Sequence, residues 1–153
     1  MRRFNVFDPE FTYDDSRPEG YRVGSARMGL AIGSSRVSAT VYEVPPGEST
    51  WPYHYEYGAE EWALVLAGTP TLRHPDGEDE LEPGDVVCFP DGPDGAHKLT
   101  NRGTETARVM ILSTFERPAV AFYPDSGKIG IWPNGDEPAI LRREPVDYWD
   151  GET

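Results

Sequence analysis

The sequence predicts an all-β fold, an antiparallel barrel or double-sheet jelly roll. Two observations carry this. Short runs rich in β-branched and aromatic residues recur, each ended by a turn signal within several residues. The chain of 153 residues also holds 16 glycines and 15 prolines, which suits many turns better than long helices. That length fits one domain with one sizeable core, residues 1–153.

The elements follow in order. Residues 1–36 are polar, with Asp14-Asp15-Ser16-Arg17-Pro18-Glu19-Gly20 a clear loop, and read as an N-terminal arm with at most short strands. Val37 to Val44 is β-rich and partly alternating, and Pro45-Pro46-Gly47 ends it. Trp51 to Glu56 reads as a second strand. Glu61 to Ala67 is a third, apolar on both faces after its first residue, so its outer face should meet another layer or a partner subunit. His74-Pro75-Asp76-Gly77 is a turn, because proline presets φ and glycine accepts positive φ. Glu78 to Leu81 returns antiparallel. After Glu82-Pro83-Gly84-Asp85, Val86 to Phe89 is the next strand, and Pro90 to Gly95 is a double turn leading to His97. His97 to Asn101 and Ala107 to Leu112 complete a barrel core of about residues 37–115. The segment 116–153 reads as a C-terminal arm. Phe122 to Trp132 offers one or two edge strands, and the aromatic Pro145 to Trp149 is expected to dock on the barrel.

Composition excludes several functions. A net charge of −13 repels nucleic acid and anionic membranes. The single cysteine permits no intrachain disulfide, and Cys88, within an apolar run, reads as a small core residue. No stretch approaches transmembrane length, and Arg2-Arg3 has no apolar run behind it, so cytoplasmic residence is expected.

Four metal-competent side chains stand in two patterns. His54, Glu56 and Glu61 lie in G-x6-H-x-E-x4-E-x6-G, from Gly47 to Gly68. His97 lies in G-x5-P-x-G-x4-H-x3-N, from Gly84 to Asn101. Residues two apart on a strand share a face, so His54 and Glu56 should point together, and His97 should share its face with Leu99 and Asn101. Glu60 rivals Glu61, but the spacing to Gly68 favours Glu61. His74 reads as a solvated loop residue. Tyr53, Tyr55 and Tyr57 read as packing or rim residues, Trp51 as core, and Asn101 as a turn residue before Arg102-Gly103.

Over about residues 37–115 these patterns resemble a small single-domain cupin, functionally uncharacterised. The gap from Gly47 to His54 is one residue longer than usual, and that from Gly92 to His97 two longer, both in turn-rich sequence. Typical metallo-cupins offer three histidines and one glutamate. This chain has Glu56 where the first pattern usually has a histidine. The resemblance implies a divalent ion (Fe, Mn or Zn) held by His54, Glu56, Glu61 and His97, with Glu56 or Glu61 also moving protons. Two other assignments stay open. Glu56 turned aside as a base leaves a two-histidine, one-carboxylate triad, and an empty site leaves two carboxylates to repel, one of them tending to protonate.

The function expected from this resemblance is a metalloenzyme acting on a small oxygen-bearing metabolite, of oxygenase, decarboxylase or isomerase type. The alternative is a non-catalytic cupin with a degenerate metal site that binds a small ligand or sugar. A purely structural role has nothing specific in its favour. A homodimer is expected, with a small molecule in the barrel.

Overall fold

The computed structural model describes residues 1–114, 118–133, 137–142 and 144–152. Its regular secondary structure consists almost entirely of antiparallel strands. In chain order these are β1 (Thr12–Tyr13), β2 (Gly24–Ala26), a one-turn helix α1 (Met28–Ile32), β3 (Val37–Val44), β4 (Tyr55–Tyr57), β5 (Glu61–Ala67) and β6 (Thr71–His74). There follow β7 (Gly77–Glu80), β8 (Val86–Phe89), a 3₁₀ turn (Pro93–Gly95), β9 (Lys98–Thr100), β10 (Ala107–Thr114), β11 (Ala119–Tyr123), β12 (Lys128–Trp132) and β13 (Ala139–Arg142). They form a six-stranded sheet, β1-β2-β3-β10-β5-β8, a three-stranded sheet, β7-β6-β9, and a four-stranded sheet, β13-β12-β11-β4.

The core lies between the first two sheets. Tyr42, Val44, Ala63, Val65, Val109 and Ile111 face Leu72 and Leu99. Strand alternation places them: Ala63 and Val65 are buried, while Trp62 between β10 and β8 is half exposed. The doubly apolar β5 thus buries one face and presents the other. The turn after β5 needs Gly68, at φ +73°, because a side chain there would meet the Ala107 backbone at 2.7 Å.

Several expectations are corrected. The first 36 residues carry only the short strands β1 and β2, which extend the six-stranded sheet, but also an unexpected helix, α1, packed on β3. The helix is too short for a periodic signal. Its trace in the sequence is Gly33, which ends it in the left-handed region at φ +79°. The edge strands expected within Phe122 to Trp132 are β11 and β12, but neither is an edge, since β11 pairs with β4 and β12 with β13. Cys88 is exposed on edge strand β8, because the inward positions there belong to Val87 and Phe89. Val146, Tyr148 and Trp149 are exposed rather than docked. His74 ends β6, where its Nε2 lies 3.1 Å from Asp79. Asn101 does more than turn the chain. It accepts from Gly103 N–H, and its buried amide donates to the carbonyls of Val44 and Glu105.

Candidate metal centre and cavity

Backbone pairing brings two histidines together from outside the regular strands. His54 N–H donates to His97 O at 3.2 Å, and His97 N–H donates to His54 O at 2.8 Å. This single antiparallel bridge sets the two residues opposite each other, and directly opposed side chains share a face. Their ring centroids are 4.8 Å apart. The expected strand from Trp51 therefore begins only at Tyr55, and the expected strand at His97 only at Lys98. Neighbouring bonds run alongside: Thr50 N–H donates to Leu99 O, and Asn101 N–H to Glu48 O.

Each imidazole is also oriented. His54 Nδ1 lies 2.8 Å from Pro52 O, and His97 Nδ1 lies 2.8 Å from Gly95 O. A carbonyl only accepts, so Nδ1 carries the proton in both rings and Nε2 keeps its lone pair. Phe89 stacks on His97 at 3.7 Å between centroids. Gly95 is required for this arrangement, because a β-carbon there would sit 1.9 Å from Pro90 O.

Glu61 opens β5 next to these rings, with its carboxylate 3.4 Å from His97 Nε2. One donor atom from each of His54, Glu61 and His97 lies within 4.8 Å of the others. Glu60 is exposed, and its carboxylate accepts from Trp62 Nε1 on the outer side. Glu56 stands outside the three-residue group. It lines the same cavity as His54 and Glu61, from a strand of the four-stranded sheet.

Burial dominates the electrostatics. It pushes the Glu61 carboxyl up to about 8, helped by the Glu56 charge and opposed by a Ser113 hydrogen bond. Burial also raises Glu56. Burial and His54 push His97 down to about 3, and burial lowers His54. Neutral imidazoles with unprotonated Nε2 atoms beside a carboxyl that resists ionising in the absence of a cation form a donor set suited to a divalent ion. Oriented Nδ1–H bonds to backbone carbonyls are the outer support such ligands use.

The cavity measures about 420 Å³. Besides the acidic residues, Thr40, Tyr42, Trp51, Ser113 and Tyr123 line it. Trp51 is a wall residue rather than core. Its Nε1 donates to Tyr42 Oη at 3.3 Å, and Arg17 lies over its ring at 4.4 Å. Tyr123 stacks on His54 at 5.8 Å, and burial followed by the Glu56 charge raises its phenol. Tyr53 is buried under Arg73, and Tyr55 stacks on Phe122. Neither Tyr123 nor Tyr42 belongs to the two sequence patterns. Only the topology brings them to the site.

Residues 40–114 match the family described as cupin domain. No curated protein matches the chain in sequence. Among solved structures, a candidate sugar phosphate isomerase from Acidithiobacillus ferrooxidans is 27% identical with a TM-score of 0.76, over 84% of this chain and 83% of that one. A cupin-superfamily sugar phosphate isomerase from Silicibacter pomeroyi is 23% identical with a TM-score of 0.82, over 95% and 97%, a likeness of fold alone. A polyketide cyclase from Streptomyces resistomycificus is 26% identical with a TM-score of 0.61, over 77% and 82%. Among the described residues, no helix is long and apolar enough to cross a membrane.

Proposed function

We propose, from the premise that the chain belongs to the cupin superfamily, that it is a metal-dependent enzyme of isomerase type acting on a small hydroxylated carbonyl compound. The observation that carries this reading is the grouping of His54, Glu61 and His97, the first two of which share a cavity with a second protonatable carboxylate, Glu56. The likeness to the candidate sugar phosphate isomerase favours this chemistry over oxygenation or decarboxylation.

His54, Glu61 and His97 would hold the ion, of Mn, Fe or Zn type. When bound, it supplies Lewis-acid polarisation of a carbonyl or hydroxyl oxygen. The chain's own residues do the rest. Glu56, outside the ligand group and with a carboxyl raised by burial, takes a proton from the carbon beside the carbonyl. It returns that proton to the former carbonyl carbon, while the hydroxyl proton moves in the same sense, from the hydroxyl oxygen to the former carbonyl oxygen. The step is redox-neutral and needs no co-reactant. Tyr123 and Trp51 wall the cavity against water.

Elemental analysis of protein purified without chelator tests the metal assignment. About one equivalent is expected, and His97→Ala should lose it. A wild type without metal would instead favour a non-catalytic ligand-binding cupin. That second reading has its own support, since Glu56 occupies the usual histidine position yet stands outside the group.

The same reading takes the sheets as the walls of a closed cupin barrel, with residues 1–153 as one domain. It also assigns the exposed Trp62, Val86 and Cys88 to a homodimer interface. Light scattering at high micromolar concentration should give twice the chain mass, and a monomeric mass would remove this assignment.

A further inference from the structure

The cavity has a second end. A neighbouring hollow of about 470 Å³ shares Arg27, Ser38, Thr40 and Tyr42 with it, so the two form one cleft. Strand register gives its dimensions. Ser113 pairs with Ser38 on one side and Glu61 on the other. Ser38 and Glu61 are therefore two strand spacings apart, about 10 Å. Arg27 follows Ala26, whose partner is Val41, and so stands level with Thr40 on the next strand out. It lies three strand spacings, about 14 Å, from the line of β5.

Arg27 differs from the other arginines near paired carboxylates. Arg73, Arg102 and Arg108 each fork onto an acidic partner. Arg27 lines both hollows, and among the described residues its guanidinium has no ion pair or hydrogen bond. It is the only lysine or arginine among the described residues lining either. This matters in a chain of net charge −13, where acidic partners are abundant. A second cation stands at the wall of the first cavity. Arg17 stacks on Trp51, has a buried Nη1 without a partner, and its charge is felt at Tyr42. One end of the cleft is thus acidic with imidazole donors. The other is cationic and edged by hydroxyls. A guanidinium fork with hydroxyl neighbours matches the oxygens of a phosphate group.

We infer that Arg27, with Ser38 and Thr40 beside it, binds the phosphate end of an extended substrate whose carbonyl end meets His54, Glu61 and His97. This deepens the isomerase reading, on which the second half of the statement rests. The phosphate half stands separately. The strand spacing requires a chain of several carbons between the two groups. A two-carbon phosphate would not reach both.

The test uses full-length, chelator-treated protein titrated with inorganic phosphate at constant ionic strength, followed by melting temperature. Wild type should show a saturable rise. Arg27→Gln should need about tenfold more phosphate or lose the response, as expected for a lost charge-assisted pair. Arg102→Gln, which removes an exposed and already paired cation, should leave the response unchanged. The melting temperature of Arg27→Gln without phosphate reports whether it folds. If it does not fold, Ser38→Ala is expected to weaken the response instead. Ribose 5-phosphate should protect at lower concentration than phosphate, and ribose should not. An absent wild-type response, an unaltered one in Arg27→Gln, or equal weakening by Arg102→Gln would overturn the assignment. Metal analysis of the same preparations separates the two readings. Metal held without phosphate protection leaves the metal centre standing. Phosphate held at Arg27 without metal removes the metal centre and keeps this subsite.

Discussion

His97 and Glu56 both neighbour the pair His54 and Glu61, from different supports. His97 is held by a reciprocal backbone bridge to His54, a hydrogen bond to Gly95 O and a stacked Phe89, and it is buried in the core. Glu56 sits on β4, whose sheet partner is β11 of the C-terminal segment, and among the described residues no side-chain hydrogen bond or ion pair ties it down. The difference teaches a division of labour. Groups that must keep one geometry are locked by backbone carbonyls. On the proposed reading Glu56 must change protonation, and burial raises its pKa without a partner fixing it.

The harshest way to break this comparison is to remove the lock on His97. Gly95→Ala places a β-carbon 1.9 Å from Pro90 O, and a backbone atom cannot swing aside. The turn that delivers His97 must then open. We expect a loss of stability above the ~3 kcal/mol that bounds ordinary substitutions, together with loss of bound metal. Chemical denaturation and metal content measured on one preparation check both. A stable variant with full metal would mean that the turn does not position the ring.

A gentler change sharpens the contrast. Glu56→Gln keeps shape and removes the titrating group. If Glu56 carries the proton, turnover should fall by about 10²- to 10⁴-fold, while metal content stays near wild type. If Glu56 is instead a fourth ligand, metal retention should weaken, because a neutral amide oxygen is the poorer donor. Glu56→His, which restores the usual four-residue set, should tighten metal under the ligand role and leave it unaltered under the proton-carrier role. Parallel metal analysis and kinetics separate the two roles.

Much of this contrast was legible in the sequence, and the unreadable part has a physical cause. The strand bounds of β3, β5 and β8 follow from alternation and turn chemistry, both of which are local. The inward choice of Glu61 over Glu60 followed from its spacing to Gly68. The reach of the C-terminal segment did not, because pairing of β11 with β4 is a non-local event that no window contains. Arg27 was unreadable for the same reason, since its place at the cleft depends on β2 lying beside β3. Cys88 and Trp51 were misread because apolar residues signal burial in general, whereas one lies on an edge strand and the other on a cavity wall.

The smallest expected effect lies in the pH dependence of the metal-free protein. Glu61 has a folded-state value of about 8 against an ordinary carboxyl value of 4.5. The folded state therefore binds more protons between these limits. The stability that Glu61 contributes is fully present below 4.5 and is lost as pH rises toward 8. The histidines act in the opposite sense. His97, lowered from 6.5 to about 3, contributes stability that is present above 6.5 and lost as pH falls toward 3. The two terms oppose each other from 4.5 to 6.5; above 6.5 His97 drops out, and comparison with Glu61→Gln separates Glu61 from the likewise raised Glu56. In that window chelator-treated wild type should lose stability at up to about 1.4 kcal/mol per pH unit relative to Glu61→Gln. Added metal should reverse the trend, because it competes with the proton for the same carboxylate. Urea unfolding of both proteins from pH 6.5 to 8 measures the difference. Parallel curves for wild type and Glu61→Gln would show that Glu61 ionises freely in the folded chain, and the argument that this cluster is poised for a cation would lose its electrostatic half.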